Sequence, residues 1–143
     1  MSHEDVERTD DQGMRAWDEH QPEAFADLFT EGFTWTDSTM PEPILTREAA
    51  RDYVQGWFTA FPDMRVRQTN RVVSEDSVGA EIEFTGTNTG PMNMAGRQIP
   101  ATGKKIVGHG TYFARVRDGK IVEFHSHPDV AEMMMQLGLM AMA

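Results

Sequence analysis

Apolar residues recur every three or four positions in the first half of the chain, which is the spacing of amphipathic helices. One helix is predicted over about 4–20, although Gly13 within it weakens the helix by roughly 1 kcal/mol relative to alanine. A second helix is predicted from Pro22, because proline suits the first helical position, and its apolar stripe extends to Phe29.

Alternation of apolar and polar residues, the spacing of strands, appears at 33–37 and dominates later in the chain. Between these regions a third helix is predicted to begin after the cap residue Thr46 and to end at Pro62. Strands are predicted at 64–74 and 78–84. The second half of the chain therefore reads as sheet.

The remaining segments are predicted to be a loop over about 88–102, a hairpin over 106–128 and a C-terminal helix over 129–140. Helices followed by consecutive antiparallel strands form an α+β pattern, unlike the βαβ alternation of a dinucleotide-binding fold. No repeat or linker divides the sequence, so residues 1–143 are predicted to form a single domain.

The predicted hairpin carries three of the five histidines. A three-residue loop over 117–119, with Gly119 in the left-handed region, would pair Val116 with Lys120. One face of the hairpin would then carry His109, Thr111, Phe113, Glu123, His125 and His127, because strand side chains alternate between faces. A two-residue loop would instead place His109 on the face opposite Glu123.

Composition narrows the classes of function. The formal charge of −10 disfavours nucleic acid and anionic membranes as partners, since both carry negative phosphates. The chain has no cysteine, which excludes disulfides, thiolate catalysis and cysteine-ligated metals. No secretory signal and no membrane-spanning run is recognised, so we expect a cytoplasmic protein.

Three runs of sequence carry a family resemblance: 84–91, 100–103 and 113–123. They resemble the SnoaL-like polyketide cyclase and ester cyclase family, and the order of elements resembles the nuclear transport factor 2-like superfamily that contains it. The resemblance implies an α+β barrel in which a cone-shaped, curved, mainly antiparallel sheet is closed by N-terminal helices around a pocket.

Characterised members of that family close a carbocycle by intramolecular aldol condensation without a metal or an organic cofactor. The resemblance places the acid–base groups at His109 on the penultimate strand and at Glu123 on the last strand, where the cyclases have a shorter aspartate. Residues 124–127 depart from the family pattern, since many relatives have a tryptophan and an aspartate there. The substrate therefore stays open.

A pocket that forms an enolate needs a base and a hydrogen-bond donor, and histidine and carboxylate side chains can fill both roles. Asp37 is a reserve base, because steroid-isomerase members of the superfamily keep their base at a similar place; its alternative role is to cap a turn. The predicted substrate-binding residues are Trp35, Trp57, Phe58, Phe61, Phe113, His125, His127 and Met92, the last as part of a cover for the pocket.

The sequence thus predicts a cofactor-independent enzyme that cyclises or isomerises a hydrophobic carbonyl compound. The alternative is a pocket protein that binds a hydrophobic metabolite without turnover. A metal held by His125 and His127, with His109 or Asp129, is a third reading. The resemblance also implies a homo-oligomer, a dimer or a tetramer.

Overall fold

The computed structural model describes residues 2–94 and 96–140. In that part of the chain the helices are α1 (His3–Asp18), α2 (Pro22–Ala26), α3 (Arg47–Ala60) and α4 (Val130–Gln136). The strands are β1 (Phe29–Asp37), β2 (Arg65–Val73), β3 (Ser77–Thr87), β4 (Met92–Met94), β5 (Arg97–Ile99), β6 (Lys105–Arg117) and β7 (Lys120–Pro128).

The five long strands form one curved sheet in the order β1-β7-β6-β3-β2. Every neighbouring pair is antiparallel except β1 and β7, which run parallel. The predicted α+β fold with a mainly antiparallel sheet is confirmed. The predicted loop contains the short ribbon β4-β5, whose three-residue strands are too brief to give a recognisable alternation.

The helices begin where the sequence predicts, and capping interactions explain where α1 and α3 begin. Ser2 and Asp5 form a capping box at the start of α1, and the Thr46 side chain accepts a hydrogen bond from the backbone of Ala49 at the start of α3. The prediction that Phe29 belongs to the second helix was wrong. Helix α2 ends at Ala26, and Phe29 begins β1.

The β6-β7 hairpin turns through two residues rather than three. Asp118 and Gly119 both have positive φ, 52° and 72°, which is the backbone of a type I′ turn. Val122 has no partner on β6, because Arg115 pairs with Glu123 while Val116 pairs with Ile121. This bulge shifts the alternation by one residue and returns Glu123 to the face of His109.

The sheet has an inner face covered by the helices α1, α2 and α3 and an outer face that is largely open. The core lies on the inner side, where Phe25 of α2 makes edge-to-face contacts with Trp35 and Phe124 from neighbouring strands. Phe58 and Phe61 are buried in the same core. No described helix is long and apolar enough to cross a membrane.

Candidate active site

A cavity lies between the inner face of the sheet and the helices α1 and α3. Its wall is mostly apolar, and aromatic side chains make up a large part of it. They are Trp17, Phe25, Trp35, Tyr53, Trp57, Phe84, Tyr112 and Phe124. Such a wall suits a flat, hydrophobic ligand.

One level of the sheet brings polar side chains into this cavity. Asp37 of β1 pairs with Ser126 of β7, and Ser126 pairs with Tyr112 of β6. The row continues through Ala80 of β3 to Arg71 of β2. Because residues paired across neighbouring strands point to the same face, the register itself assembles this polar row.

Asp37 is 7 % exposed, and its carboxylate is held by three donors. Oδ1 accepts hydrogen bonds from the backbone N–H of Thr39 at 2.7 Å and from the Thr39 hydroxyl at 2.5 Å. Oδ2 accepts a hydrogen bond from the hydroxyl of Ser126, whose oxygen in turn accepts one from Trp35 Nε1 at 2.8 Å. The carboxylate is therefore fixed in position while it faces the cavity.

Tyr53 supports this arrangement from helix α3. Its hydroxyl lies 3.0 Å from Thr39 Oγ1, and because Thr39 donates its own proton to Asp37, Tyr53 is the donor. Burial, reinforced by the negative charge of Asp37, raises the pKa of Tyr53 far above its usual value. The phenol therefore keeps its proton at neutral pH.

A second polar cluster lines the cavity where α1 crosses the sheet. Asp10 of α1 accepts a hydrogen bond from the Tyr112 hydroxyl at 2.5 Å on Oδ1. Its Oδ2 accepts hydrogen bonds from Gln68 at 2.8 Å and from Arg71 at 3.0 Å. Burial and the charge of Asp10 raise the pKa of Tyr112. Among the described residues Asp10 has a cationic partner, Arg71, whereas Asp37 has none.

The prediction that His109 lines the pocket was wrong. Its side chain is 53 % exposed on the outer face, where Nδ1 lies 2.9 Å from Glu132 of α4 and Nε2 lies 3.7 Å from Glu83. The reason is the register of the hairpin: odd-numbered residues of β6 point outward, and the even-numbered Tyr112 and Ala114 point inward.

Glu123 also lies on the outer face, so the prediction that it lines the pocket was wrong as well. It accepts hydrogen bonds from His125 at 2.7 Å and from Arg115 at 3.3 Å. His125 contacts Thr36 on its other nitrogen, and Arg115 lies over the ring of Phe113. The bonds from His125 and Arg115 hold the pKa of Glu123 below its usual range, whereas the predicted apolar pocket would have raised it.

The predicted binding residues divide into three groups. Trp35 and Trp57 line the cavity, and the exposed His127 borders it. Buried residues that pack in the core without lining the cavity are Phe58, Phe61 and Met92. Phe113 and His125 lie on the outer face, so their predicted place in the pocket was wrong. Asp37, the reserve base, lies in the cavity wall.

Sequence reasoning missed Asp10, Ser126 and Tyr112. Asp10 had a usable signal, because it falls on the buried stripe of α1 together with Val6 and Gly13. A charged residue on the apolar side of a helix is unusual and needs a partner. In the part of the chain that the structure describes, no three histidine, aspartate or glutamate side chains are grouped as metal ligands would be.

The contact between His109 and Glu132 gives a pH-dependent prediction. The hydrogen bond from His109 to Glu132, aided by the charges of Glu132, Glu83 and Asp129, raises the pKa of His109 above 6.5. The contact with Glu132 therefore stabilises the folded protein fully at pH values below the pKa that His109 has in the unfolded chain. This stabilisation is lost as the pH rises through the higher pKa of His109 in the folded protein.

We expect the melting temperature of the wild type to exceed that of His109→Ala by more at about pH 6 than at about pH 9, where histidine is neutral. Calorimetric melting curves of both proteins across this range would measure the difference. A difference that stays constant or grows with pH would contradict the prediction.

Solved structures similar to this fold come from several bacteria. AclR from Streptomyces galilaeus, a proposed hydroxylase, superimposes with a TM-score of 0.82 at 19 % identity, covering 98 % of this chain and 100 % of AclR. A proposed SnoaL-like polyketide cyclase from Jannaschia sp. CCS1 gives 0.79 at 20 % identity, with 95 % of each chain covered. IdmH from Streptomyces antibioticus, a proposed polyketide cyclase, gives 0.74 at 24 % identity, covering 93 % of this chain and 98 % of IdmH. These likenesses establish the fold.

Comparison in sequence gives one family match. The SnoaL-like domain family matches residues 11–124, which include Asp37, Tyr53 and Tyr112. Comparison with curated proteins finds no significant match.

Proposed function

Because the chain belongs to the SnoaL-like domain family, we propose that it is a cofactor-independent acid–base enzyme acting on a hydrophobic carbonyl compound. The observation that carries this proposal is the buried Asp37 carboxylate, oriented by three donors in the wall of an aromatic cavity. The proposed cyclase role of the Jannaschia protein and of IdmH agrees with it.

Asp37 is the proposed base. A carboxylate oxygen takes the proton from the carbon beside the carbonyl, the electron pair of that C–H bond forms a second bond to the carbonyl carbon, and the C=O π pair moves onto the oxygen to give an enolate. The protonated Asp37 then returns its proton. In isomerisation the proton goes to another carbon of a conjugated enolate, and in ring closure it goes to the alkoxide that forms when the enolate attacks a second carbonyl. Ser126 and Thr39 hold the carboxylate in place for this transfer.

The dry aromatic surroundings favour this chemistry. Asp37 is 7 % exposed in a mostly apolar wall, and Trp35 and Trp57 in the same wall offer flat surfaces for a ring system. Tyr53 donates a hydrogen bond to Thr39, and Thr39 donates one to Asp37, so these two bonds hold the carboxylate in position. Because its raised pKa keeps Tyr53 protonated, Tyr53 does not take the substrate's proton in place of Asp37.

Deuterium exchange tests the proposal without knowledge of the natural substrate. The protein is incubated in heavy water with hydrophobic ketones such as 2-tetralone, and deuterium uptake beside the carbonyl is followed by NMR. We expect exchange well above the buffer rate. Uptake equal to that of an Asp37→Asn variant across the set would argue against the proposal.

The same assay tests His109, the acid–base group implied by the family resemblance. Because His109 lies on the outer face and contacts Glu132, we expect the His109→Ala variant to exchange within about threefold of the wild type, as a residue outside the catalytic geometry should. A loss of about 100-fold would restore the original assignment.

The second candidate is a non-catalytic pocket protein. It is favoured by the mostly apolar wall of the cavity, which suits retention of a hydrophobic metabolite. Native mass spectrometry of freshly purified protein would show a retained ligand, and absence of exchange with every ketone would then favour this candidate. The homo-oligomer implied by the resemblance stays a prediction.

A further inference from the structure

The mechanism above uses the Asp37 side of the cavity and leaves the buried Asp10–Tyr112 pair without a role. We propose that this pair selects substrates that carry a hydroxyl group, which donates a hydrogen bond to Asp10. The proposal rests on the proposed function, since it describes a second contact of the same substrate. It makes Asp10 a specificity-determining residue.

The hydrogen-bond donors around Asp10 can be assigned one by one. A carboxylate only accepts, so the Tyr112 hydroxyl must donate to Asp10 Oδ1. The Tyr112 oxygen is then the acceptor for Gln68, whose side-chain nitrogen lies 2.8 Å away. The same nitrogen gives its second proton to Asp10 Oδ2. Every proton that Tyr112 and this amide group offer is therefore already used.

The Asp10–Tyr112 pair can therefore still accept a hydrogen bond, although it has no proton left to donate. Asp10 Oδ2 accepts from both Gln68 and Arg71, whereas Oδ1 accepts only from Tyr112 among the described residues. A carboxylate oxygen accommodates two donors, so Oδ1 has one position left. Because Asp10 lines the cavity, a ligand that brings a donor can use this position.

A carbonyl oxygen at the same place would meet the opposite situation. To bond it, Tyr112 would have to turn its proton away from Asp10, which would leave two oxygens facing each other without a proton between them. Losing that bond in a buried setting is costly, because the carboxylate cannot recover it from water. This end of the cavity therefore favours donors over acceptors.

The apolar wall of the cavity decides which kind of donor fits. Asp10 pairs with Arg71 at 3.0 Å, and Arg71 also pairs with Asp11 at 2.8 Å and with Glu7 at 3.9 Å. An ammonium group would have to give up its hydration to enter the mostly apolar cavity, so a neutral hydroxyl, alcoholic or phenolic, is the better match. The side chain of Asp10 is only 4 % exposed, which makes its one open position valuable to a buried ligand.

The two contacts belong to one cavity. Tyr112 and Ser126 are direct cross-strand partners, and they hold Asp10 and Asp37 respectively. Both carboxylates line the same cavity, so one ligand can bring a hydroxyl to Asp10 and an acidic C–H to Asp37.

Paired ligands of equal shape test the proposal by binding alone. In 2-naphthol a hydroxyl replaces the methyl group of 2-methylnaphthalene, and the dissociation constants of both are measured by NMR titration at pH 7. For the wild type we expect 2-naphthol to bind at least about 10-fold more tightly, as a hydrogen bond to a charged acceptor should provide.

The Asp10→Asn variant should lose this preference. Gln68 and Arg71 both donate, so they retain the amide oxygen, and the amide N–H₂ then occupies the place of Oδ1. A donor thus replaces the open acceptor, and because the oxygen of a phenol accepts hydrogen bonds only weakly, we expect the two ligands to bind within about threefold of each other. Circular dichroism would confirm that the variant is folded.

Two further variants keep the test decisive. Tyr112→Phe removes the hydroxyl that donates to Oδ1, so its preference for 2-naphthol should equal or exceed that of the wild type, even if Asp10→Asn fails to fold. Asp37→Asn should keep the wild-type preference, because the proposed contact lies elsewhere.

Equal binding of the two ligands by the wild type would overturn the proposal. A preference lost in Asp37→Asn but kept in Asp10→Asn would also overturn it, since the hydroxyl would then bind at the base. Failure of the proposed function is distinct: it would show as absent deuterium exchange while the preference for 2-naphthol and its dependence on Asp10 persist.

Discussion

Replacing Asp37 with asparagine is expected to lower the rate of deuterium exchange at least about 100-fold, the usual contribution of a positioned general base. The amide has nearly the shape of the carboxylate, and its oxygen can still accept the two hydrogen bonds from Thr39. It cannot take a proton from carbon at neutral pH. The expected loss is therefore chemical rather than structural.

The kinetic pattern is as informative as the size of the loss. Because the aromatic wall that includes Trp35 and Trp57 is untouched, KM for the ketone should change little while kcat falls. Glu123→Gln is the matched control, since it makes the same chemical change on the outer face of the sheet and should leave exchange near the wild-type rate. An Asp37→Asn variant that retains its rate would exclude Asp37 as the base.

The hairpin shows how far strand alternation alone can carry a prediction. Alternation correctly grouped His109 with Glu123, although the reason was a bulge at Val122 rather than a three-residue loop. It did not say which face the helices cover. That information lies in the difference in composition between the two faces of the strand.

The covered face could have been recognised from its composition. The inward positions of β6 hold small or apolar residues, among them Ala114 and Val116, whereas the outward positions include His109 and Arg115. Burial favours the first set. The prediction placed the pocket on the face that bears the histidines, because histidine side chains can act as acids and bases. In a sheet with one covered face, however, the cavity lies on the side of the apolar positions.

The buried polar pairs required contacts that a single sequence cannot supply. Asp10 and Tyr112 are 102 residues apart in sequence, and their hydrogen bond depends on how α1 crosses the sheet. The paired rows of strands likewise depend on register, which turns and bulges set. Asp37 could be predicted from the sequence, because it ends an alternating strand at a position that the family resemblance also indicated.

The turn at 86–90, which with the hairpin at 117–123 is among the most specific parts of the family resemblance, has a clear physical role in the structure. Asn88 is fully buried and its side chain makes four hydrogen bonds. Its amide nitrogen donates to the backbone carbonyls of Ala60 and Gly90, at 3.1 and 3.0 Å. Its oxygen accepts from the backbone and the hydroxyl of Thr102, both at 2.9 Å. One side chain thus joins helix α3 to both sides of the loop.

Asn88→Ala is accordingly expected to lower the free energy of unfolding by about 3–5 kcal/mol, because several buried polar groups lose partners that water cannot replace. Urea denaturation followed by circular dichroism would measure the change. Thr89→Ala is the matched control: the neighbouring side chain is exposed, so its removal should alter stability by less than about 0.5 kcal/mol.

The position of Asn88 distinguishes this prediction, which concerns stability, from the predictions about catalysis. Asn88 does not line the cavity, so the fraction of Asn88→Ala that remains folded should exchange deuterium at the wild-type rate per molecule. A variant as stable as the wild type would mean that the four bonds are replaced by others. A folded variant with lost exchange would mean that the loop, through α3 and Tyr53, also orients the base.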